Sequence, residues 1–446
     1  MTEQLLHLHS ELLRDRDPGF DDARSIFNGM IDHKPALIAR CRNAEDVSEA
    51  IRLARSQGLR ISVRGGDHST SGSSVCEKGL MIDLSPMKSI DIDVSVRTAR
   101  VGGGARWKEF DEAAQVHGLA TTGGTVSDTG VGGLTLGGGL GWLAGRYGLA
   151  CDNLLGVEIV TADGEILRAS GGENADLFWA IRGGGGNFGV VTSFEFRLHP
   201  VGPTVYGGMT AHPLERAGDA MRFYRNYCDN NPDEVNTACA MITVPDVGKI
   251  VALAACHCGS LEEGERALKP LKEFGPPALD HLGPMPYLAM QTSLDGMFPR
   301  GRRYYFKAAF ITELRDELIE MMPLQFAGAP SPYTVFLLQQ LGNAANRVPV
   351  DATAFAHRDV RWDCVLLCGW DDPAEDRMQI DWARGVYEAW RPFCADAIYS
   401  NSLSAEDPEK DIRSAYGAAY QRLAEIKQRY DPENLFRLNA NIRPPA

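Results

Sequence analysis

The sequence lacks several features that mark particular classes of protein. Its 446 residues include 45 Lys and Arg against 59 Asp and Glu, a formal net charge of −14 at pH 7. Binding to nucleic acid or to an anionic membrane requires a basic face, so this balance argues against both partners. The chain also has no apolar run of the roughly 18 residues that a membrane-spanning helix needs.

Metal-ligand and leader patterns are missing as well. A zinc site would need a second Cys/His pair near Cys256 and Cys258, or near Cys364 and Cys368. The sequence has no such pair at zinc spacing, so we predict no metal site. The ten scattered cysteines are typical of reduced thiols. The first residues lack the basic region that opens a signal peptide. We therefore expect a cytoplasmic protein.

What the chain has instead is 47 glycines, many of them clustered in three loops. The first loop follows a predicted strand at residues 60–63 and contains Gly65, Gly66 and His68, with hydroxyl side chains after them. Glycines let the backbone approach a ligand closely, and successive N–H groups in such a turn form a concave site for phosphate. The alternative is an ordinary glycine turn with a solvated histidine.

The second loop, residues 121–142, has nine glycines and ends at Trp142, and the third spans residues 183–189. The second matches neither the Walker pattern nor the strand-led dinucleotide fingerprint. A disordered linker is the alternative, but flanking apolar residues and the tryptophan argue against it.

The remaining pattern predicts regular elements. A helical pattern covers residues 10–18, a strand covers 35–41, and Asn43 caps a helix that ends at Gly58. After about residue 203 the glycine density falls, and alternating strands and helices predict a separate α+β domain up to about residue 398. A helix at residues 411–429 then precedes a closing segment that contains Asn439 and Asn441.

The three loops, their spacing and the closing segment resemble the flavin-linked oxidases of the vanillyl-alcohol-oxidase superfamily, in its berberine-bridge-enzyme-like branch. The resemblance implies an α+β fold. Residues 1–203 would form a PCMH-type FAD-binding domain of two subdomains. Residues 204–398 would form an inserted α+β substrate domain with an antiparallel sheet and helices, and residues 399–446 would return to the FAD domain.

The resemblance also implies which residues bind FAD. His68 matches the family histidine that bonds covalently to the 8α-methyl group of the flavin, a role that suits a neutral, nucleophilic imidazole. The implied cofactor-binding residues are Arg64, Gly65, Gly66, Asp67, His68, Ser69, Gly72, Gly123, Gly124, Val126, Ser127, Thr129, Gly130, Gly132, Gly133, Gly138, Gly139, Gly141, Trp142, Gly189, Val191, Asn439 and Asn441.

Two positions, Val126 and Ser402, depart from the family pattern. Val126 stands where many members have a cysteine as a second flavin link, so we expect a single attachment. Thr129 falls at the position that controls the access of oxygen to the flavin in the family. The alternative is that Thr129 is an ordinary turn residue. The Tyr-x-Asn-Tyr strand over the flavin reads Tyr399-Ser400-Asn401-Ser402, and serine is too weak an acid to replace the final tyrosine as base.

Catalytic roles are therefore predicted for Tyr399, Asn401 and Thr129. Five side chains were equal alternatives for the missing base: Tyr304, Tyr305, Glu313, Tyr333 and His357. The implied function is an FAD-dependent oxidase that takes a hydride from an alcohol, sugar, amine or secondary metabolite and reduces O2 to hydrogen peroxide. An oxygenating tailoring flavoenzyme and a flavin-carrying binding protein without turnover are the alternatives. The substrate and the oligomeric state, including a homo-oligomer, stay open.

Overall fold

The computed structural model describes residues 10–404 and 406–445. The strands there are β1 (Glu11–Leu13), β2 (Leu37–Arg40), β3 (Ile61–Arg64), β4 (Leu80–Asp83), β5 (Ile90–Asp93), β6 (Thr98–Gly102), β7 (Leu119–Ala120), β8 (Leu154–Val160), β9 (Ile166–Ser170), β10 (Val190–Arg197), β11 (His199–Pro200), β12 (Thr204–Pro213), β13 (Val235–Val244), β14 (Gly248–His257), β15 (Leu279–Asp280), β16 (Gly283–Pro286), β17 (Arg303–Ile311), β18 (Val335–Gln340) and β19 (Trp362–Trp370).

The helices are α1 (Phe20–Arg24), α2 (Ala44–Gln57), α3 (Trp107–Gln115), α4 (Val131–Leu136), α5 (Ala144–Tyr147), α6 (Ala175–Ile181), α7 (Ala217–Cys228), α8 (Leu261–Glu273), α9 (Tyr287–Gln291), α10 (Asp316–Ala327), α11 (Ala344–Arg347), α12 (Asp376–Trp390), α13 (Glu409–Tyr416) and α14 (Tyr420–Tyr430). Of the helices in the described ranges, none is long and apolar enough to cross a membrane.

Two smaller sheets form the first part of the chain. One has the order β1-β2-β4-β3 and is parallel except for β1, and the other has the antiparallel order β5-β6-β10-β8-β9. Helix α2 lies between them because its apolar face packs Val47 and Ile51 into one core with Val160 and Val190. As predicted, the Asn43 side chain caps α2.

The predicted helix at residues 10–18 is wrong. Residues Glu11–Leu13 instead form β1, which pairs antiparallel with β2 and buries Leu13. Pairing with an open sheet edge satisfies the backbone groups of β1, which outweighs a weak local preference for helix.

The third sheet is the largest. Its strands follow the order β15-β12-β14-β13-β18-β19-β17, with β16 also paired to β12, and all of the pairs are antiparallel. One face packs on helices through a core that includes Met221, Tyr224, Leu318 and Trp390. The opposite face borders a cavity. This mixture of sheets and helices confirms the predicted α+β class.

The C-terminal helical pattern is broken into α13 and α14 at Gly417, which has φ 47°. Buried Lys427 on α14 donates to the carbonyls of Asn187 (2.7 Å) and Phe436 (2.9 Å) and pairs with Asp431 (2.6 Å). These bonds hold the C-terminal segment against the third glycine loop.

Candidate cofactor and substrate site

A cavity of about 1030 Å³ lies between the glycine loops, the C-terminal segment and the open face of the largest sheet. The elements that enclose it come from distant parts of the sequence, from Phe27 to Ala440. Its volume is at the upper end of the range that small-molecule and cofactor pockets occupy.

His68 stands on the wall of this cavity at the end of the turn after β3. Its ring stacks on Phe27 at a centroid distance of 3.9 Å. The Nε2 atom is buried, and among the described residues it has no hydrogen-bond partner. Burial lowers the pKa of His68 to about 4, with Asp128 opposing and Arg300 reinforcing the shift. The imidazole is therefore neutral at pH 7, and its Nε2 makes no hydrogen bond to the described part of the chain.

An ion-pair cluster fixes the turn that carries His68. The buried carboxylate of Asp67 pairs with Arg64 at 2.8 Å and with Arg300, which also pairs with Asp128 at 3.1 Å. Arg300 follows the 3-10 turn Asp295–Met297 and precedes β17, so the cluster joins the first and second glycine loops to the largest sheet.

The first two glycine loops touch through their backbones. A Cβ atom added at Gly66 would lie 2.3 Å from both Cα and N of Gly130, and one added at Gly130 would lie 2.4 Å from N of Gly66. Neither position therefore has room for a side chain. Thr129, next to Gly130, accepts a hydrogen bond from the Trp107 N–H at 3.0 Å and lines the cavity.

The structure brings most of the predicted site residues to the cavity wall. Those on the wall are Gly65, Gly66, Asp67, His68, Ser69, Gly72, Gly124, Val126, Thr129, Gly130, Gly132, Gly133, Trp142, Gly189, Val191, Tyr399, Asn401 and Asn439. Those that do not line it are Arg64, Gly123, Ser127, Gly138, Gly139, Gly141 and Asn441.

Several residues of the second set lie behind the wall and shape it. Ser127 bonds Asp295 through both its N–H (2.8 Å) and its hydroxyl (2.6 Å). Gly141 packs directly against the carbonyl of Gly123, where a Cβ would have no room. Gly139 donates its N–H to the Tyr399 hydroxyl at 2.8 Å.

The segment predicted as a strand over the flavin is instead a 3-10 turn, Ser400–Ser402. The turn closes through a bond from the Ser402 N–H to the Tyr399 carbonyl, while the Asn401 amide donates to the Tyr399 hydroxyl at 2.9 Å. Side-chain bonds of this local kind compete with strand pairing. Burial raises the pKa of Tyr399 far above its ordinary value, so the phenol stays protonated.

The five alternative bases are absent from the residues that line the cavity: Tyr304, Tyr305, Glu313, Tyr333 and His357. Tyr304 donates to the Pro299 carbonyl at 2.7 Å, and the His357 ring nitrogen lies 3.0 Å from the Ala415 carbonyl. Geometry therefore removes them from contact with a ligand in the cavity.

Sequence reasoning missed the far end of the cavity, which we call the sheet chamber. It is bounded by the open face of the largest sheet, with side chains such as Met209, Ile242, Phe306, Val335, Leu337 and Val365. Asp363 on β19 is also on this wall. The signal was a lone carboxylate inside the apolar run from Trp362 to Trp370.

The residues present fit FAD. His68 Nε2 and the buried Oδ1 of Asn439 are unpartnered within the described ranges, and Gly66 and Gly130 let the backbones of the first two loops meet on this wall. Successive backbone N–H groups in a glycine-rich turn are suited to the phosphates of a dinucleotide.

Comparison with known families supports the same assignment. Residues 35–170 match the family model described as an FAD binding domain, and residues 408–443 match the model described as berberine and berberine like. The first match covers the loops that carry His68 and Thr129, and the second covers α13 and α14. The chain is therefore an FAD-dependent oxidoreductase.

Relatives match over nearly the whole chain. An FAD-linked oxidoreductase of Dictyostelium discoideum is 33% identical, over 92% of this chain and 89% of the relative. The (R)-6-hydroxynicotine oxidase of Paenarthrobacter nicotinovorans is 30% identical, over 98% of each chain. The crystal structure of 6-hydroxy-D-nicotine oxidase from Arthrobacter nicotinovorans aligns with a TM-score of 0.90 at 29% identity, covering 99% of each chain. The protein belongs to the berberine-bridge-like family of FAD-linked oxidoreductases, and the fold that the resemblance implied is confirmed.

Proposed function

We propose that this protein is an oxidase that carries FAD on His68 through a single covalent bond and reduces O2. The observation that carries the proposal is His68 on the cavity wall, with a neutral imidazole whose buried Nε2 has no hydrogen-bond partner among the described residues. A neutral imidazole nitrogen is a nucleophile at pH 7. The printed name of the Paenarthrobacter relative, an oxidase, supports the same reaction type.

When bound, FAD supplies the redox chemistry: it accepts a hydride from a substrate carbon, and O2 takes the electrons to form hydrogen peroxide. The backbone of the first loop, from Gly65 to Ser69, would hold the pyrophosphate. Thr129 would border the space that O2 enters. Tyr399 would position the second loop through its bond to Gly139, and Asn401 would position Tyr399.

The single attachment rests on the second loop. Val126 lines the cavity but has no nucleophile. Cys151, the nearest cysteine along the chain, packs in an apolar core with Leu140 and Phe355, and burial raises the pKa of its thiol far above the ordinary value. A buried neutral thiol is unreactive.

Two wider proposals accompany this one. The domain boundaries 1–203, 204–398 and 399–446 are supported by the largest sheet, whose strands all fall between Thr204 and Trp370. A cytoplasmic location is supported by the ten cysteines, all of which are free.

The proposal is tested by acid precipitation of the purified protein. We expect the flavin to stay in the pellet and its mass to be found on a tryptic peptide that contains His68. His68→Ala should leave only flavin that dissociates. A supernatant holding all of the flavin, or flavin mass on a cysteine peptide, would contradict the attachment. Hydrogen peroxide produced when air reoxidises dithionite-reduced protein tests the oxidase step.

A further inference from the structure

Asp363 is a buried carboxylate in a largely apolar wall. Its side chain is only 4% exposed, it lines the cavity, and within the described residues its Oδ1 has no hydrogen-bond partner. The neighbouring positions in the sheet register are Phe310 on β17 and Gln339 on β18. A buried carboxyl without a partner costs free energy, so its presence on a cavity wall points to a role with a ligand.

A second buried carboxylate shows what is specific to Asp363. Burial raises the pKa of both Asp363 and Asp111 to about 7. Asp111, however, accepts a hydrogen bond from Gln291 at 2.8 Å and does not line the cavity. Asp363 alone of this pair therefore combines titration near neutral pH with access to a bound molecule.

The position of Asp363 places it near the predicted catalytic segment. Its neighbour in the sheet register is Phe310, whose ring lies 6.2 Å from the Tyr399 ring, centroid to centroid. Tyr399 is bonded to Gly139 of the second glycine loop. Asp363 thus lies near Tyr399, on the wall of the same cavity that Ser402, the residue at the predicted base position, also lines.

The sheet chamber is apolar. Among the described residues, the polar side chains that its strands present to the cavity are Asp363 and Gln339. The rest of the wall includes Met209, Met285, Met290 and Met297, whose flexible thioethers adapt to apolar shapes and contact aromatic rings favourably. A sugar, with many hydroxyls to satisfy, would lose hydrogen bonds on entering this chamber.

We propose that Asp363 is the catalytic proton acceptor and that its substrate is an apolar, aryl-substituted alcohol or amine. The proposal rests on the proposed FAD-dependent oxidation. The substrate O–H or N–H bond breaks and its proton passes to the Asp363 carboxylate. The adjacent C–H bond breaks, its hydrogen leaves with two electrons to FAD, and a C=O or C=N bond forms. Asp363 then releases the proton to water, and O2 removes the electrons as hydrogen peroxide.

The test compares Asp363→Asn with the matched control Asp111→Asn. Infrared titration of the holoenzyme should show bands of protonated carboxyl groups that disappear near pH 7. Asp363→Asn should remove one of these bands, and Asp111→Asn should remove another. The second readout is anaerobic reduction of the bound flavin by benzyl alcohol, 2-naphthalenemethanol and benzylamine, with D-glucose as the polar comparison. His281 also lines the cavity, so His281→Gln is included as a second control.

We expect at least one aryl probe to reduce the flavin, more slowly below pH 7. Asp363→Asn should slow this step about a hundredfold or more, the usual contribution of a general base, and remove its dependence on pH. Asp111→Asn and His281→Gln should keep both the rate of flavin reduction and its dependence on pH. The proposal is overturned if Asp363→Asn is reduced as fast as the wild type, if no aryl probe reduces the flavin, or if glucose does so faster. Acid-stable flavin and air reoxidation report separately on the proposed function.

Discussion

Gly66→Ala is the sharpest perturbation of the contact between the first two glycine loops. The added Cβ would lie 2.3 Å from the Cα and N atoms of Gly130, which are backbone atoms that no rotamer change can move. Ordinary contact needs about 3.4 Å, so the loops would have to separate by roughly 1 Å in a packed region. Overpacking of this kind costs about 1–3 kcal/mol, and we expect the upper end.

The assay is thermal unfolding together with the flavin content of the purified protein. For a chain of this length, the entropy of unfolding converts a loss of about 1 kcal/mol in stability into a fall of roughly 1 °C in Tm. The Tm of Gly66→Ala should therefore fall by about 3 °C. Flavin content should fall as well, because both loops line the cavity.

The control is Gly385→Ala in α12, which is not among the residues that line the cavity. An added Cβ there has nothing within 4 Å, and alanine is favoured over glycine in a helix by about 1 kcal/mol. Its Tm should be unchanged or slightly raised. Equal Tm values for the two variants would refute the steric argument.

Three further predictions concern charge and oxygen. Burial raises the pKa of Asp111 from 3.8 to about 7, so the free energy of unfolding of the wild type should fall as pH rises between these values. The fall contributed by Asp111 is at most about 4 kcal/mol. Asp111→Asn should remove this contribution in denaturation experiments repeated across that pH range. Thr129→Leu should slow stopped-flow reoxidation by O2 if space matters, and Thr129→Val should do so if the hydroxyl matters. Unchanged rates in both would make Thr129 an ordinary turn residue. Arg300→Met should release flavin more readily, because it leaves Asp67 with fewer cations; unaltered flavin retention would contradict this.

Much of the local structure follows from the sequence alone. Asn43 and Gly58 delimit α2 because a capping side chain and a left-handed glycine act over a few residues. The glycine loops likewise have a composition that few other structures use, and their order along the chain carried the resemblance to flavin-linked oxidases. The sequence alone also shows that Val126 has no nucleophilic group.

The tertiary structure decided the rest, because the relevant partners are far apart in sequence. Residues Glu11–Leu13 became a strand only because the edge of β2 was open to them. The hydrogen bond from the Gly139 N–H to the Tyr399 hydroxyl joins residues 260 positions apart, and the segment after Tyr399 forms a turn rather than the predicted strand. In the sequence, Asp363 is a single charged residue in an apolar run. Only the sheet shows that its side chain lines the cavity. Periodicity reports which face of an element is buried, whereas a site depends on what the facing element brings to it.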